Sequence, residues 1–386
     1  MIPSRLFSSF KPQRFLSTIA IRREDGVMWE RRAPMSPAQV KTLLSENKDL
    51  KIIIQPSSQR VFDITEFESA GAVVSEDVSG ADLIIGVKQV PVDQLYNDKT
   101  YLFFSHTIKA QEANMPILDA CLDRNIKLLD YEKICKNGEG QRLVAFGKWA
   151  GVVGAVDILN ALGIRMLALG YETPFLKIAR AHNYTSVTAC YDHLAGVVKS
   201  ELPKLAPKLD SPLVTIFVGN GNVSKGAQEV FQKLGAEFIQ PSDLEKTKQS
   251  GDKGKLYACV VDAHDHLSDA SGNFNFSDFS KNPTAYTSNF ASQFAKHANV
   301  IINGVVWLPG QPKLLTNEDL KQLPNLHAVA DVSADPNGSL EFMKDCTSLD
   351  RPYRHFNAKT GEYSDNMTDK EGFVYCSVDN MARCEK

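Results

Sequence analysis

The sequence lacks an unbroken long apolar run, an excess of charge of either sign and any closely paired cysteines. Its 43 Lys and Arg residues nearly balance 46 Asp and Glu residues, and both signs are interspersed along 386 residues. This balance argues against nucleic acid or an anionic membrane surface as a partner. The most apolar stretch, residues 143–170, contains Lys148, Asp157 and Arg165, which argues against a membrane span. Seven cysteines without C-x-x-C spacing indicate free thiols in a reducing compartment.

Acidic residues are also missing from the N-terminus. No acid precedes Glu24, whereas this segment is rich in serine and contains five basic residues, Arg5, Lys11, Arg14, Arg22 and Arg23. A basic, serine-rich, acid-free segment with interleaved Leu and Phe is typical of a mitochondrial transit peptide. We therefore predict a transit peptide in residues 1–18 and a location in the mitochondrial matrix. The alternative is an N-terminal tail without a targeting role.

Strands and helices alternate through the first half of the chain. Ser36 and Pro37 are a typical N-cap and first helical residue, and they predict a helix that ends near Glu46. Short apolar runs predict strands at residues 18–24, 51–55, 81–88, 100–106 and 127–131. This alternation is typical of βαβ units and a parallel sheet.

The second half repeats this alternation after a long helical segment. Residues 146–169 are dense in Gly and Ala and predict a closely packed helix that crosses between two domains, and residues 200–212 read as a linker. Further strands are predicted at residues 213–219, 236–240, 256–262, 300–306, 327–332 and 373–378. The predicted fold class is therefore α/β, with two Rossmann-like domains that have parallel sheets, are joined by the crossing helix and enclose a cleft.

Two neighbouring predicted strands end on ionisable residues, Lys88 and His106. Ligands in open α/β sheets bind beyond the carboxyl ends of the strands, so both side chains are candidates for one cleft. Mutual repulsion and partial burial would make the lysine amine useful for proton transfer near neutral pH. The alternative is a surface lysine and a capping histidine.

A glycine-rich turn predicts a nucleotide site. An apolar strand leads into Gly219, Gly221 and then a helix, and the neighbouring Asn222, Val223 and Ser224 complete the candidate cofactor-binding group. The glycines allow a tight turn and close approach of a pyrophosphate, while the helix N-terminus supplies N–H donors. Ser224 stands where the fingerprint has Gly or Ala, and Gly226 is expected to supply the close packing instead.

The next predicted strand ends at Gln240, followed by Pro241, Ser242 and Asp243. An NAD site normally has an acid at this strand end for the ribose 2′-hydroxyl. Gln240 at the tip and Ser242 nearby favour a 2′-phosphate, and hence NADP(H), although Asp243 weakens that inference.

Arginines near the predicted strand ends favour a substrate with carboxylates. Arg32 follows Glu30 in the loop before the first helix, and Arg142 and Phe146 come shortly after Glu132. Guanidinium groups bind carboxylates in a bidentate geometry, which fits an amino acid or keto acid. The alternative for each arginine is an ordinary surface ion pair.

Two histidine signals are weaker. His264 and His266 flank Asp265 in a polar segment, but no further ligand is spaced to close a metal site, so we predict no metal. His182 follows the crossing helix and is read as a capping or core residue rather than a site residue.

Several segments together resemble one family. REDGVMWERRAPMSP, GVKQVP, FFSHTIKAQEANM, LLDYEKI, VAFGKWAG, GNGNVSKGAQ and DVSAD look like the lysine–2-oxoglutarate reductase half of the bifunctional α-aminoadipic semialdehyde synthases. More distantly they are similar to fungal saccharopine dehydrogenase (lysine-forming) and to the alanine dehydrogenase/transhydrogenase N-terminal fold. The resemblance runs in order from about Ile19 to Asp379.

The resemblance implies NADPH-dependent condensation of L-lysine and 2-oxoglutarate to saccharopine, the first step of lysine degradation. It implies that Lys88 and His106 form the acid/base pair. It further implies that Arg32 and Arg142 hold substrate carboxylates, that Glu132 tunes Lys88, and that Asp331 lies near the nicotinamide. Phe146 completes the predicted substrate site.

The expected domains are a substrate domain with the crossing helix (residues 19–205), an NADP(H)-binding Rossmann domain (206–345) and a segment that returns toward the first domain (346–386). The bifunctional enzymes continue beyond the point that corresponds to Lys386. We therefore expect saccharopine oxidation to need a separate enzyme. The alternatives are a weakly active or inactive, shortened NADP(H)-binding form and a related amino-acid dehydrogenase.

Overall fold

The computed structural model describes residues 17–26, 30–109, 112–136 and 142–377. They form two compact units, of which the first ends at Ala145 and the second begins at Phe146. The predicted transit peptide lies outside the described residues except for its last two positions. The expected boundary after residue 205 differs from this division, because the long helix that we assigned to the first domain packs within the second unit.

The first unit contains a six-stranded sheet in which all strands are parallel. The strands are β1 (Thr18–Ile21), β2 (Lys51–Ile54), β3 (Val73–Val74), β4 (Leu83–Ile85), β5 (Thr100–Phe103) and β6 (Lys127–Asp130), and the helices are α1 (Pro37–Glu46), α2 (Ile64–Ser69) and α3 (Met115–Asp123). The strand order is β3-β2-β1-β4-β5-β6. Because the strands are parallel, the loops that follow them emerge at the same edge of the sheet, and those after β1, β4, β5 and β6 emerge side by side.

The N-cap predicted for α1 is confirmed. The Ser36 hydroxyl accepts a hydrogen bond from the backbone N–H of Gln39 at 3.3 Å, and the Gln39 side chain accepts one from the Ser36 N–H at 2.8 Å. This reciprocal pair satisfies two N–H groups that the first turn of a helix leaves without partners. Pro37 occupies the first helical position, where its missing N–H costs nothing.

The second unit contains an eight-stranded sheet of order β15-β14-β16-β13-β12-β7-β9-β8 and a small antiparallel pair, β10 and β11. Its elements are α4 (Gly147–Ala168), α5 (Val187–Leu205), β7 (Leu213–Val218), α6 (Asn222–Lys233), β8 (Glu237–Ile239), α7 (Leu244–Ser250), β9 (Leu256–Val261), α8 (Ala263–His266), β10 (Leu267–Ser268), α9 (Phe276–Phe279), β11 (Thr287–Ser288), α10 (Phe290–Gln293), β12 (Val300–Asn303), α11 (Asn317–Leu320), β13 (Ala328–Asp331), β14 (Arg354–Phe356), β15 (Tyr363–Ser364) and β16 (Phe373–Cys376). Strands β8, β9, β7, β12, β13 and β16 are parallel. The α/β class with parallel sheets is thereby confirmed.

Helix α4 packs closely on α6 through glycines. A Cβ on Gly151 would lie 1.8 Å from the Val223 carbonyl oxygen, and a Cβ on Gly226 would lie 1.8 Å from that of Lys148. The small residues therefore allow backbone-to-backbone contact, and Gly226 has the packing role predicted for it. By length and apolar composition α4 would qualify as a membrane span, but most of it is buried inside the protein, as in a core helix.

The predicted linker at residues 200–212 is wrong over its first half. Helix α5 continues through this segment to Leu205, with Pro203 in its last turn. Leu202 and Leu205 are buried in the core of the second unit, and this burial favours helix over an exposed linker. Composition alone pointed to a linker because the Lys and Pro residues occupy the outer face.

The described part of residues 346–386, a segment predicted to return toward the first domain, contributes strands to the second unit. Strands β14, β15 and β16 extend the second sheet instead. Phe356 and Phe373 are buried against Phe342, with ring centroids 5.1 and 5.0 Å from it. This aromatic cluster explains why the segment stays with the second unit.

Candidate active site

The segments that carry Lys88 and His106 emerge together from the first sheet. The Val87 carbonyl accepts a hydrogen bond from the Phe104 N–H at 3.0 Å, which extends the pairing of β4 and β5 beyond both strands. The Gln89 side chain adds a 3.5 Å bond to the Ser105 carbonyl. Lys88 and His106 therefore follow neighbouring strands at one sheet edge, as predicted.

Glu24 fixes the backbone at Lys88, although the sequence analysis did not single it out. Its carboxylate accepts hydrogen bonds from the N–H groups of Val87 at 2.6 Å and Lys88 at 3.0 Å. Burial raises the pKa of Glu24, whereas these two hydrogen bonds and the charge of Arg22 act to lower it. The available signal was its position, since an acid shortly after a buried strand lies at the same edge as the other candidates.

The loop with His106 is held in an unusual conformation. His106 has a φ of 55°, in the left-handed region that residues other than glycine rarely adopt. Asp130 anchors this loop, because its carboxylate accepts hydrogen bonds from the Ser105 hydroxyl and, at 3.2 Å, the Ser105 N–H. The imidazole stacks on Phe104 with ring centroids 6.2 Å apart. Such strain is maintained only where surrounding contacts enforce it, which is common at functional sites.

Glu132 joins His106 to Arg142. Its Oε2 lies 3.7 Å from His106 Nδ1, and its Oε1 accepts a 3.2 Å hydrogen bond from Arg142 Nη1. Glu132 is 8% exposed, whereas half of the Arg142 side chain is accessible to solvent. A buried carboxylate beside an imidazole stabilises positive charge on the ring, and the exposed guanidinium retains donors for an external carboxylate.

Two other predicted substrate residues have different surroundings. Arg32 bonds to the buried Glu30, with Nε to Oε1 at 2.7 Å and Nη2 to Oε2 at 2.6 Å. Its guanidinium fork thus already holds a carboxylate of the protein itself. Phe146 begins the second unit as the N-cap of α4 and is 42% exposed.

The glycine-rich turn after β7 fits a dinucleotide. Gly219 has a φ of 79°, and a Cβ there would lie 2.6 Å from a Val305 methyl group. Gly221 is the N-cap of α6 without a side-chain cap, and a Cβ on it would meet nothing within 4 Å. The N-terminus of α6 at the exposed Asn222 thus has open space beside Gly221, as a pyrophosphate site requires.

Val223 and Ser224 have packing roles in the described structure. Val223 lies against Gly304, where an added Cβ would approach its Cγ1 to 2.7 Å. Ser224 is buried and accepts a 2.9 Å hydrogen bond from the Gln228 side chain. In the structure, both residues therefore support the glycine-rich turn by packing and hydrogen bonding within the protein.

Asp331 and Asn303 form a buried polar pair at the ends of β13 and β12. Asn303 Nδ2 donates to Asp331 Oδ1 at 2.9 Å, and the Ser333 hydroxyl donates to the same oxygen at 2.6 Å. Burial raises the pKa of Asp331 to about 6. Asn303 Oδ1 is buried without a hydrogen-bond partner among the described residues. Asn303 lies next to β7, where the strand order of the sheet changes direction and ligands of such sheets commonly bind. Its unsatisfied acceptor is compatible with a bound ligand that supplies a hydrogen-bond donor.

The NADP(H) prediction placed the selecting residues at the end of β8, from Gln240 onward. In the structure β9 lies between β7 and β8, and β8 is the edge strand. Ser242, in the turn after β8, is exposed, and β8 itself lies two strand spacings, about 10 Å, from β7.

The His264–His266 segment has contacts of a structural kind. His266 is buried, its Nδ1 lies 3.0 Å from the Ser288 hydroxyl, and its ring packs edge-to-face on Phe290. Burial lowers its pKa to about 4. Within the described ranges, no group of three or more His, Cys, Asp or Glu residues is arranged to hold a metal ion.

Comparison with known proteins agrees with this organisation. Residues 20–153 match the family model of the alanine dehydrogenase/PNT N-terminal domain. The chain is 41% identical over 384 residues to "Alpha-aminoadipic semialdehyde synthase, mitochondrial" of Bos taurus, which covers 95% of this chain and 41% of the relative. The chain is therefore similar, over nearly all of its length, to a segment of the α-aminoadipic semialdehyde synthases. The resemblance that the motifs carry is thereby confirmed.

Two further similar proteins have lower sequence identity to this chain. The Arabidopsis thaliana synthase is 35% identical over 382 residues, covering 94% of this chain and 36% of its own length. "Saccharopine dehydrogenase [NAD(+), L-lysine-forming]" of Candida glabrata is 28% identical over 243 residues, covering 61% of this chain and 62% of its own. The chain thus spans about two fifths of the length of the synthases that it matches.

Solved structures support the fold alone. An L-alanine dehydrogenase superposes with a TM-score of 0.57 at 16% identity, covering 94% of this chain and 83% of that chain. A transhydrogenase from Sinorhizobium meliloti gives a TM-score of 0.51 at 14% identity, with coverages of 92% and 90%. The dehydrogenase fold and the glycine-rich turn together imply a nicotinamide cofactor.

Proposed function

We propose that this chain is a lysine–2-oxoglutarate reductase. It would condense the ε-amine of L-lysine with the ketone of 2-oxoglutarate and reduce the imine, giving saccharopine, water and the oxidised nicotinamide cofactor. The observation that carries the proposal is the group of His106, Glu132 and Arg142 beside Lys88 at one edge of the first sheet. The names of the relatives, which include α-aminoadipic semialdehyde synthase and lysine-forming saccharopine dehydrogenase, support the choice of substrates.

The first chemical task is to deprotonate the substrate ammonium group, because only the free amine attacks a ketone. His106 is suited to take this proton, since the buried Glu132 carboxylate 3.7 Å away stabilises the imidazolium that results. Lys88 is suited to donate to the ketone oxygen as negative charge develops there during attack. Glu24 would hold Lys88 in place for this step through the backbone hydrogen bonds already described.

The second task is to lose water from the carbinolamine. The imidazolium of His106 returns its proton to the leaving hydroxyl, so that the residue that acted as base becomes the acid. Arg142 would hold a substrate carboxylate with the donors that Glu132 does not use. Phe146 and Arg32 remain predicted substrate-binding residues, although the pairing of Arg32 with Glu30 argues that Arg32 acts by shaping its loop.

The nicotinamide cofactor would bind at the turn from Gly219 to Asn222, with its pyrophosphate on the N-terminus of α6. When bound, it supplies the hydride that reduces the imine carbon. Asp331 and Asn303, at the ends of neighbouring strands, would border the nicotinamide end. The prediction of NADPH rests on Gln240, Ser242 and the family resemblance, and the experiment below compares it with NADH.

The proposed setting is the mitochondrial matrix. The relatives from Bos taurus, Mus musculus and Rattus norvegicus have names that include "mitochondrial". Saccharopine would then be the substrate of a saccharopine-oxidising activity. The small-molecule substrates are the partners that the proposal requires.

The deciding experiment follows oxidation of NADH and of NADPH by absorbance, with lysine and 2-oxoglutarate each omitted in turn and saccharopine detected by mass spectrometry. Oxidation that requires both substrates and yields saccharopine is the expected result. Oxidation supported by 2-oxoglutarate and ammonia without lysine would indicate an amino-acid dehydrogenase instead. Cofactor binding without turnover under any substrate combination would contradict the proposal.

A further inference from the structure

His106 is the middle residue of a three-residue turn that its two neighbours close. The Ser105 hydroxyl accepts a hydrogen bond from the Thr107 N–H at 3.3 Å, and the hydroxyl oxygens of these two residues lie 2.8 Å apart. Because the flanking residues are bonded to each other, the chain turns sharply at the residue between them. The φ of 55° at His106 is the backbone conformation of this turn.

Asp130, on the neighbouring strand β6, fixes the turn from outside. Its Oδ2 accepts hydrogen bonds from the Ser105 hydroxyl and, at 3.2 Å, from the Ser105 N–H. An ionised carboxylate offers only acceptors and Ser105 has one hydroxyl proton, so the Thr107 hydroxyl is the donor in its contact with Ser105. The two hydroxyls therefore form a directed chain of hydrogen bonds that ends on the Asp130 carboxylate. Ser105 is fully buried, which protects this chain from competing water.

The other oxygen of Asp130 closes a second turn. Its Oδ1 accepts a hydrogen bond from the N–H of Glu132, two residues further along the chain, at 2.8 Å. Tyr131, the middle residue of this second turn, packs on Phe104 with ring centroids 4.9 Å apart. One carboxylate thus holds both the turn that presents His106 and the turn that ends at Glu132, and an aromatic contact lies beside it.

The charge around the imidazole depends on how these two turns are arranged. His106 Nδ1 lies 3.7 Å from Glu132 Oε2, and the other oxygen of Glu132 bonds to Arg142. Lys88 follows the neighbouring strand β4, and its N–H donates to the buried Glu24. Negative groups favour a protonated imidazole and positive groups disfavour it, so the distance to the nearest carboxylate has a large effect on its protonation.

We propose that Asp130 is a positioning residue for the acid/base chemistry of this site, because it holds the turn at His106 and the turn at Glu132 in one arrangement. It acts through Ser105 and the Glu132 N–H, and it keeps the imidazole beside its carboxylate partner. The inference rests on the proposed function for its effect on turnover, whereas protonation of His106 is measured without substrates.

The test compares Asp130→Asn with Ser105→Ala in the full chain. Asp130→Asn removes the charge and replaces one acceptor by a donor, whereas Ser105→Ala removes the hydroxyl and leaves the Asp130 charge in place. In the lysine-dependent reaction we expect kcat to fall about 10- to 100-fold in the first variant and about 5-fold in the second. KM should change less than about 3-fold in both, since the loss concerns the chemical step. Urea unfolding shows whether each variant is folded.

Protonation of the imidazole is followed by NMR of the protein with isotope-labelled histidine, and His106→Gln identifies the signal among the eight histidines. In both variants the imidazole should release its proton at a lower pH than in the wild-type chain, by up to about one pH unit, because the ring is no longer held beside Glu132. The low-pH limb of the kcat/KM profile should move in the same direction. A residue with only a structural role would lower stability and leave both pH dependences unchanged.

Asp123→Asn is the matched control, since Asp123 is an exposed aspartate of the same unit, at the end of α3. It should change neither kcat nor the imidazole titration. A titration that shifts in Asp130→Asn but not in Ser105→Ala would show that Asp130 acts by its charge alone, which overturns the inference. Wild-type pH dependence in both folded variants would overturn it as well.

The outcome is separable from that of the proposed function, because the imidazole titration needs no turnover. A titration that shifts in both variants, in a chain that does not condense lysine with 2-oxoglutarate, supports this inference and contradicts the reductase proposal. Lysine-dependent turnover with unshifted titrations has the opposite meaning.

Discussion

His106 Nδ1 lies 3.7 Å from Oε2 of the buried Glu132, and the backbone segments of the two residues are tied to each other through Asp130. One carboxylate oxygen of Asp130 accepts from the Ser105 N–H, and the other accepts from the Glu132 N–H at 2.8 Å. Asp130 therefore ties the loop after β5 to the loop after β6. This coupling gives His106 a fixed counter-charge.

The first prediction concerns the acid/base pair. His106→Gln and Lys88→Met should each lower kcat by about 10²- to 10³-fold in the lysine-dependent reaction, as expected for the loss of a positioned proton donor or acceptor. The free energy of unfolding in urea should change little, which would show that the drop in kcat comes from lost chemistry and not from lost stability. Lys133→Met is the control, because Lys133 is exposed and adjacent to Glu132. Full activity in both site variants would refute the assignment.

The second prediction separates positioning from chemistry at Glu132. Glu132→Gln keeps the shape and the acceptor for Arg142 but removes the charge beside the imidazole. We expect kcat to fall about 10-fold with a smaller change in KM, since the loss is felt when positive charge develops on His106. The pH profile of kcat should also change. A variant that alters only KM would show that Glu132 acts through Arg142 and the substrate.

The third prediction concerns Glu24. In Glu24→Gln an amide N–H₂ group faces one of the two backbone N–H donors, so a hydrogen bond is lost inside the protein. We expect a loss of about 2 kcal/mol in the free energy of unfolding and a drop in kcat, because Lys88 loses its support. Glu68→Gln, on the exposed side of α2, should change neither. Equal behaviour of the two variants would show that Glu24 is dispensable.

The sequence predicts those features that depend on short-range pattern. Ser36 and Pro37 start α1, the apolar runs form strands, and Gly226 provides the close contact with α4. Features that depend on strand order could not be predicted from the sequence. Whether β8 or β9 lies beside β7 follows from packing between distant segments, so the sequence alone does not show that β8, which leads to Gln240, is the edge strand.

The same limit applies to the side-chain partners. Arg32 and Arg142 look alike in the sequence, but Glu30 occupies the first in a bidentate contact while the second keeps an exposed guanidinium. Glu24 was missed because its function is to accept backbone hydrogen bonds from Val87 and Lys88, which lie more than 60 residues away. Such contacts leave no local pattern in a single sequence.

The fourth prediction tests the contact between α4 and α6. Gly226→Ala places a Cβ 1.8 Å from the Lys148 carbonyl, which the two backbones can accommodate only by moving apart. We expect a loss of about 3 kcal/mol or more in the free energy of unfolding. Gly196→Ala is the matched control on α5, since a Cβ there meets nothing within 4 Å. It should stabilise the protein by about 0.5–1 kcal/mol through helix propensity. Similar changes in both variants would contradict the close contact.

The fifth prediction concerns pH and Asp331. Because burial raises its pKa from 3.8 to about 6, the folded chain between these pH values holds a proton that the unfolded chain has released. The free energy of unfolding therefore decreases as the pH rises through this window, by about 3 kcal/mol in total. Below pH 3.8 both states are protonated and this contribution is fully retained.

Asp331→Asn isolates this contribution. The asparagine oxygen can still accept from Asn303 and Ser333, so the local hydrogen bonds are kept while the titration is removed. Urea unfolding of both proteins between pH 4.5 and 7 should give a difference in stability that moves in favour of the variant as the pH rises. If the two proteins lose stability in parallel across this range, the carboxyl group of Asp331 is ionised in the folded chain throughout, and its burial is compensated by its neighbours.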